Sequence, residues 1–193
     1  MSAPEASLQD PVPASEITYK IAWQKNNEKI SKDACALWME SGAMKQPEAG
    51  IARAKLLCVV AYDGDKLVAV STITVGVQQQ VYAKVCHFMC IVRPEYRRRH
   101  IATELAMRCL VVTEGWSKAN PTYKILAFVI QVQTQDLVMK CYKPVWNNKI
   151  NFIGYSQEGA PLYLRWFRHA YFGEEPDGDF TFYPSRPGAI GKI

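Results

Sequence analysis

Arg97, Arg98 and Arg99 stand in a row directly before His100, Ile101, Ala102 and Thr103, within the stretch VRPEYRRRHIATELA from Val92 to Ala106. The residues after the arginines have the apolar spacing of a helix, so the densest positive charge of the chain falls at a helix N-terminus. The first backbone N–H groups of a helix lack intrahelical acceptors, and that end carries a partial positive charge. Amides, guanidinium groups and the Thr103 hydroxyl gathered at one turn are the equipment of an anion site. An apolar strand feeding straight into such a turn suits a phosphate. The same charges also fit a solvated basic turn, and the surrounding elements have to decide between the two.

Other chemistry is sparse. The six cysteines, Cys35, Cys58, Cys86, Cys90, Cys109 and Cys141, each lie in an apolar segment without a Cys-x-x-Cys pair. They read as reduced, mostly buried small hydrophobes, and with only three histidines no metal site is expected.

The 193 residues are 49% hydrophobic and 21% charged, which fits one domain with a sizeable core. The net charge of +5 suits an anionic ligand, but the basic residues are mostly dispersed, which argues against nucleic acid as a partner. The N-terminus lacks the basic and apolar regions of a signal peptide, and no stretch has the length and apolarity of a membrane helix. A cytoplasmic protein without membrane association is the expectation. Residues 1–15 are rich in Pro, Ala and Ser and read as a flexible tail, 16–170 as a single domain, and 171–193 as an irregular C-terminal tail.

The elements that must position the arginines follow from periodicity. Ile17–Trp23 reads as a strand, Asn27–Ser41 as a helix with Ile30, Ala34, Leu37 and Trp38 on one stripe, and Met44–Ala54 as containing a short helix. Leu56–Tyr62 and Leu67–Val75 flank Asp63-Gly64-Asp65-Lys66, a hairpin signal, and Val81–Val92 completes an antiparallel meander. Ile101–Lys118 is a helix with Ile101, Leu105, Cys109, Val112 and Trp116 on one face, ended by Asn120-Pro121. Ile125–Gln131 reads as a buried strand, Gln135–Lys143 as a helix capped by Thr134, and Phe152–Tyr155 and Leu162–Phe167 as closing strands. The strand–helix–strand unit through the arginines implies a parallel pair, hence a mixed α/β (α+β) sheet that is mostly antiparallel.

The segment from Val92 to Ala102 resembles the cofactor motif of the GNAT-type N-acetyltransferases, in which a strand ending in V-x-P-x-x runs into Q/R-x-x-G-x-G/A and opens a helix. Arg97 matches the first motif position and Ala102 the last, while His100 stands where that family usually has Gly. The order of elements from about Ile17 to Phe167 is also similar to that family. Gln135, Val138 and Tyr142 resemble its N-x-x-A-x-x-x-Y helix, and Asn151-Phe152 stand for a following Gly-Phe.

The resemblance implies a GNAT-like fold with a strand splay, acetyl-CoA as cosubstrate, and transfer of its acetyl group to a primary amine. It places the cofactor on Ile91, Val92, Arg97, Arg98, Arg99, His100, Ile101, Ala102, Thr103 and Gln135, and makes Tyr142 the acid for the leaving thiolate. The acceptor amine must lose a proton, and between Lys66 and Pro94 there is no acidic residue. His87 is the side chain on that strand with a suitable ordinary pKa, about 6.5. Trp23, Trp38, Met39, Met44 and Tyr82 are candidates for the acceptor pocket. The acceptor is a small molecule or a protein amine, and dimers are common in the family. The alternative is a catalytically degenerate member serving as a binding or structural component.

Overall fold

In a computed structural model the described residues are 16–25, 27–133, 143–146 and 149–171. The elements run β1 Ile17–Ile21, α1 Glu28–Glu40, α2 Pro47–Ala54, β2 Leu57–Asp63, β3 Lys66–Gln78, β4 Ala83–Val92, α3 Ile101–Ala119, β5 Ala127–Gln131, β6 Val145–Trp146, β7 Ile150–Tyr155 and β8 Pro161–Trp166. Short 3-10 turns cover Pro94–Tyr96 and Pro121–Tyr123. The strands form one sheet in the order β1-β2-β3-β4-β5-β8-β7-β6. Every pair is antiparallel except β4–β5.

Local chemistry explains the boundaries. Asn27 caps α1 by accepting the Ile30 N–H at 3.0 Å, and Gly42, at φ +70°, follows the helix end. Pro47 opens α2, where its missing N–H costs nothing. Gly64, at φ +56°, makes the β2–β3 turn. β3 continues to Gln78, beyond the Val75 expected from the sequence, because Gly76 stays extended opposite Val85 and the chain reverses only at residues 79–82. The two-residue β6 carries no periodic signal and was not foreseen.

Alternation divides the sheet into two faces. On one, Ile73, Cys86, Phe88 and Phe128 pack against Ile101, Leu105, Cys109 and Leu110 of α3. On the other, Val60, Tyr62 and Val70 pack against Ile30, Ala34, Leu37 and Trp38 of α1. Cys58, Cys86 and Cys109 are fully buried in the α3 seam, and Cys109 Sγ lies 3.0 Å from Ser71 Oγ. Burial pushes the Cys86 thiol up to about 12, so it behaves as a hydrophobe. The expected helix Gln135–Lys143, with Cys141, and both tails lie wholly or mainly outside the described residues. Among the described residues no helix is long and apolar enough to cross a membrane.

Leu105 is fully buried at the centre of the α3 seam. Leu105→Ala is expected to lower the unfolding free energy by about 2–5 kcal/mol. Val111→Ala, on the exposed side of the same helix, is expected to stay within about 0.5 kcal/mol. Urea denaturation of both variants checks the contrast.

Candidate active site

β4 and β5 pair over four rungs only, from Val85–Ala127 to Phe88–Ile130. Beyond them β4 runs on to Val92 beside β3, through Thr72–Met89 to Ala69–Val92. β5 instead stays with β8 through Gln131–Leu162, and Val132 N–H donates to Pro161 O. The two strands therefore part after Phe88. The Arg93 N–H donates to Val68 O on β3, whereas Lys84 O accepts from Leu126 N–H on the β5 side. Backbone groups alternate along a strand, so the amides of Cys90 and Val92 point away from β3 into the opening. The Ile91 amide points back to β3.

The turn after β4 is held by three ties. The Arg93 Nε–H donates to Leu67 O at 2.8 Å and its Nη1–H to Glu40 of α1. The Tyr96 hydroxyl donates to Asp63 Oδ2 at 2.7 Å, which raises the Tyr96 pKa. Lys66 Nζ pairs with Glu95 at 3.1 Å, an exposed contact that fixes direction more than stability.

Above these ties the backbone is left-handed at Arg98, φ +63°, and at His100, φ +60° and ψ +8°. His100 thus takes the conformation a glycine takes with less strain, and it leaves its side chain exposed. It is the N-cap of α3 but no side chain caps the helix. The first intrahelical bond runs from Glu104 N–H to His100 O, so the amides of Ile101, Ala102 and Thr103 have no intrahelical acceptor. Ile101 is buried and anchors the turn, Ala102 is small, and Thr103 is exposed. The Arg99 guanidinium lies 5.1 Å from the Tyr96 ring centre, while Arg97 and Arg98 are exposed and form no ion pair among the described residues.

His87 lies one rung before the strands part, on the face that packs α1 rather than α3. It is half-buried, and burial lowers its pKa below the ordinary histidine value. Its Nε2 would be 3.6 Å from a Cβ at Gly76 of β3, so the imidazole lies over the glycine backbone. Met89 follows on the same face just past the last rung, and Arg53 of α2 places Nη2 3.6 Å from its sulfur.

The sequence-derived residues therefore fall into groups. Val92 and Arg97 to Thr103 meet where the strand enters α3, and Ile91 lies beside them with its amide turned to β3. His87 is at the base of the opening. Gln135 and Tyr142 lie outside the described residues. Of the pocket candidates, Trp38 is core, Trp23 packs edge-on to Trp116 on the α3 side, and Tyr82 is in the exposed β3–β4 turn. Arg53, which reaches Met89, and Arg93 and Tyr96, which tie the turn, were not singled out from the sequence. Only Arg93 and Tyr96 had a signal, their place inside the motif.

An L-residue at φ +60° costs about 1–2 kcal/mol relative to right-handed backbone, and glycine relieves that strain while losing more entropy on folding. His100→Gly is expected to raise the unfolding free energy by about 0.5–1 kcal/mol. His100→Val, β-branched at the same φ, is expected to lower it by about 1 kcal/mol or more. Urea midpoints at equal m-value test both.

The fold has counterparts among known proteins. The sequence model of the Acetyltransferase (GNAT) family matches residues 19–143, more than half of the chain. A solved structure described as a bacterial toxin superposes with a TM-score of 0.54 at 11% identity, covering 81% of this chain and 93% of that one. A protein from Salmonella typhimurium, yncA, solved with its cofactor acetyl-CoA, superposes with a TM-score of 0.53 at 9% identity, covering 83% and 99%. At such identities these likenesses show the fold alone. No curated protein matches the chain in sequence. The family match over residues 19–143, together with the mixed sheet, places the chain in the GNAT acetyltransferase family.

Proposed function

We propose that the chain is an N-acetyltransferase that uses acetyl-CoA and a primary amine. The observation that carries this reading is the turn from Val92 to Thr103. Its amides at 101–103 are open, its two left-handed residues bend the backbone around one point, and Arg97 and Arg98 stand exposed beside it. A diphosphate finds there both hydrogen-bond donors and charge. The His100 side chain is exposed, so the residue that replaces glycine leaves the backbone path to Ala102 compatible with such a ligand.

Acetyl-CoA, when bound, supplies an acetyl group already activated as a thioester. The chain's own residues have separate tasks. Ile101, Ala102, Thr103 and the arginines hold the phosphates. The Val92 amide, aimed into the opening, offers a donor where negative charge develops. His87, kept neutral by burial, takes the proton from the acceptor amine. Family resemblance assigns proton donation to Tyr142 and a cofactor contact to Gln135. A catalytically silent binding protein is the second reading. The absence of a carboxylate between Lys66 and Pro94 favours it.

Isothermal titration with acetyl-CoA tests the site. Micromolar binding is expected, with Arg97→Glu plus Thr103→Ala weakening it at least tenfold, about 1.4 kcal/mol or more. No binding at millimolar acetyl-CoA would end the enzyme reading.

The pH profile of kcat/KM tests His87. Its pKa is lowered, so the neutral base prevails above the ordinary value of about 6.5 and activity falls as pH drops through the lowered pKa. His87→Gln is expected to lose about 100-fold or more in rate and to remove that acid limb. An unchanged limb would exclude His87 as its source.

A further inference from the structure

Resting on the acetyltransferase reading, we propose that Arg53 selects acceptors whose primary amine is joined to an anionic group, a carboxylate or a phosphate. Arg53 lies in the last turn of α2 and reaches the mouth of the strand opening from the face that carries His87. Its Nη2 lies 3.6 Å from Met89 Sδ, and its guanidinium is 5.5 Å from the Trp38 ring centre. Met89 is the first residue past the last β4–β5 rung and His87 is two residues before it. Residues two apart on a strand share a face at about 7 Å. The cation and the proposed base therefore flank one short stretch of β4.

Arg53 is half-buried, yet no carboxylate pairs with it among the described residues. Two acids of α1, Asp33 and Glu40, are engaged elsewhere. Asp33 accepts from the Tyr62 hydroxyl and pairs with Lys29, and Glu40 holds Arg93. The thioether is a weak acceptor, and the indole face leaves the outer guanidinium donors unmatched. Arg93, by contrast, has a carbonyl and a carboxylate.

Among the described residues no carboxylate contributes to the shift at Arg53 or His87. Burial alone lowers the pKa of each. On this face β3, β4 and β5 present Val70, Thr72, Thr74, Met89, Val129 and Gln131, none of them acidic. Among the described residues these strands offer a polycationic amine no counter-charge on this face. A half-drawn-in guanidinium with unused donors does match an oxyanion, which it grips through two parallel hydrogen bonds.

Two readouts test this on the full chain. The first is CoA release at fixed acetyl-CoA with four acceptor sets: the standard amino acids, their amides, O-phosphoethanolamine and spermidine. An anionic set is expected to be preferred over the amides by about tenfold or more in kcat/KM, equal to about 1.4 kcal/mol. Arg53→Gln should bring that ratio near one through KM, and Arg53→Lys should restore part of it. Preference for amino acids or for O-phosphoethanolamine separates carboxylate from phosphate.

The second readout is a thermal shift of the protein with the same four sets and no acetyl-CoA. An anionic set is expected to raise Tm in the wild type and in Arg53→Lys, but not in Arg53→Gln. Spermidine as the best acceptor, a preference untouched by Arg53→Gln, or no anion-dependent shift would overturn the assignment. Loss of acetyl-CoA binding in calorimetry would instead sink the acetyltransferase reading, while the thermal-shift contrast still decides the role of Arg53.

Discussion

The four-rung limit of the β4–β5 pair is the constraint on which the site depends. β4 is held by β3 along its whole length, through ten paired positions, and β5 is held by β8. Each strand follows the twist of its antiparallel partner, and the parallel ladder between them is the weaker connection per residue. The sheet therefore behaves as two antiparallel blocks joined at a short seam. Where the blocks diverge, the β4 amides that would have continued the ladder turn toward open space. An opening lined on one side by backbone donors arises without any residue being set aside to make it.

The turn above the opening is strained, and its anchors hold the strain in place. Two consecutive-but-one left-handed residues, Arg98 and His100, each cost about 1–2 kcal/mol. Buried Ile101 on the far side and the Arg93 and Tyr96 ties on the near side leave the intervening backbone little choice. Left-handed His100 passes directly into the right-handed first turn of α3, a pairing that turns successive N–H groups to one side as in an anion nest. The arginines add charge to that nest, but they do not create it.

Much of this was legible in the sequence because it is written in local periods. The 3.6-residue stripe of Ile101, Leu105 and Cys109 fixes which side of α3 is buried, and the Asp63-Gly64 turn locates the reversal from β2 into β3. The motif at Val92 to Ala102 locates the turn although His100 departs from glycine, since histidine tolerates the left-handed region better than most residues. Arg53 was illegible for the opposite reason. It meets Met89 across 36 residues of sequence, and its own helix shows only a basic residue in the last turn. A cation becomes informative only when tertiary structure shows which described carboxylates reach it and which do not. The length of β3 was misjudged because Gly76 and the glutamines have turn-like composition, whereas the pairing with β4 overrides it.

The missing carboxylate also has a positive consequence for the proposed chemistry. A carboxylate beside His87 would favour the imidazolium and raise its pKa, so that a larger share of the ring would be charged at neutral pH. In the face as built, burial acts alone and shifts the pKa down. An acid-poor surface and a histidine base are therefore parts of one arrangement. Removing the acids takes away the carboxylate route to deprotonation and, by the same step, keeps the imidazole neutral. It also leaves Arg53 without a paired carboxylate among the described residues, at the edge of the opening where the proposed acceptor's anionic group would dock.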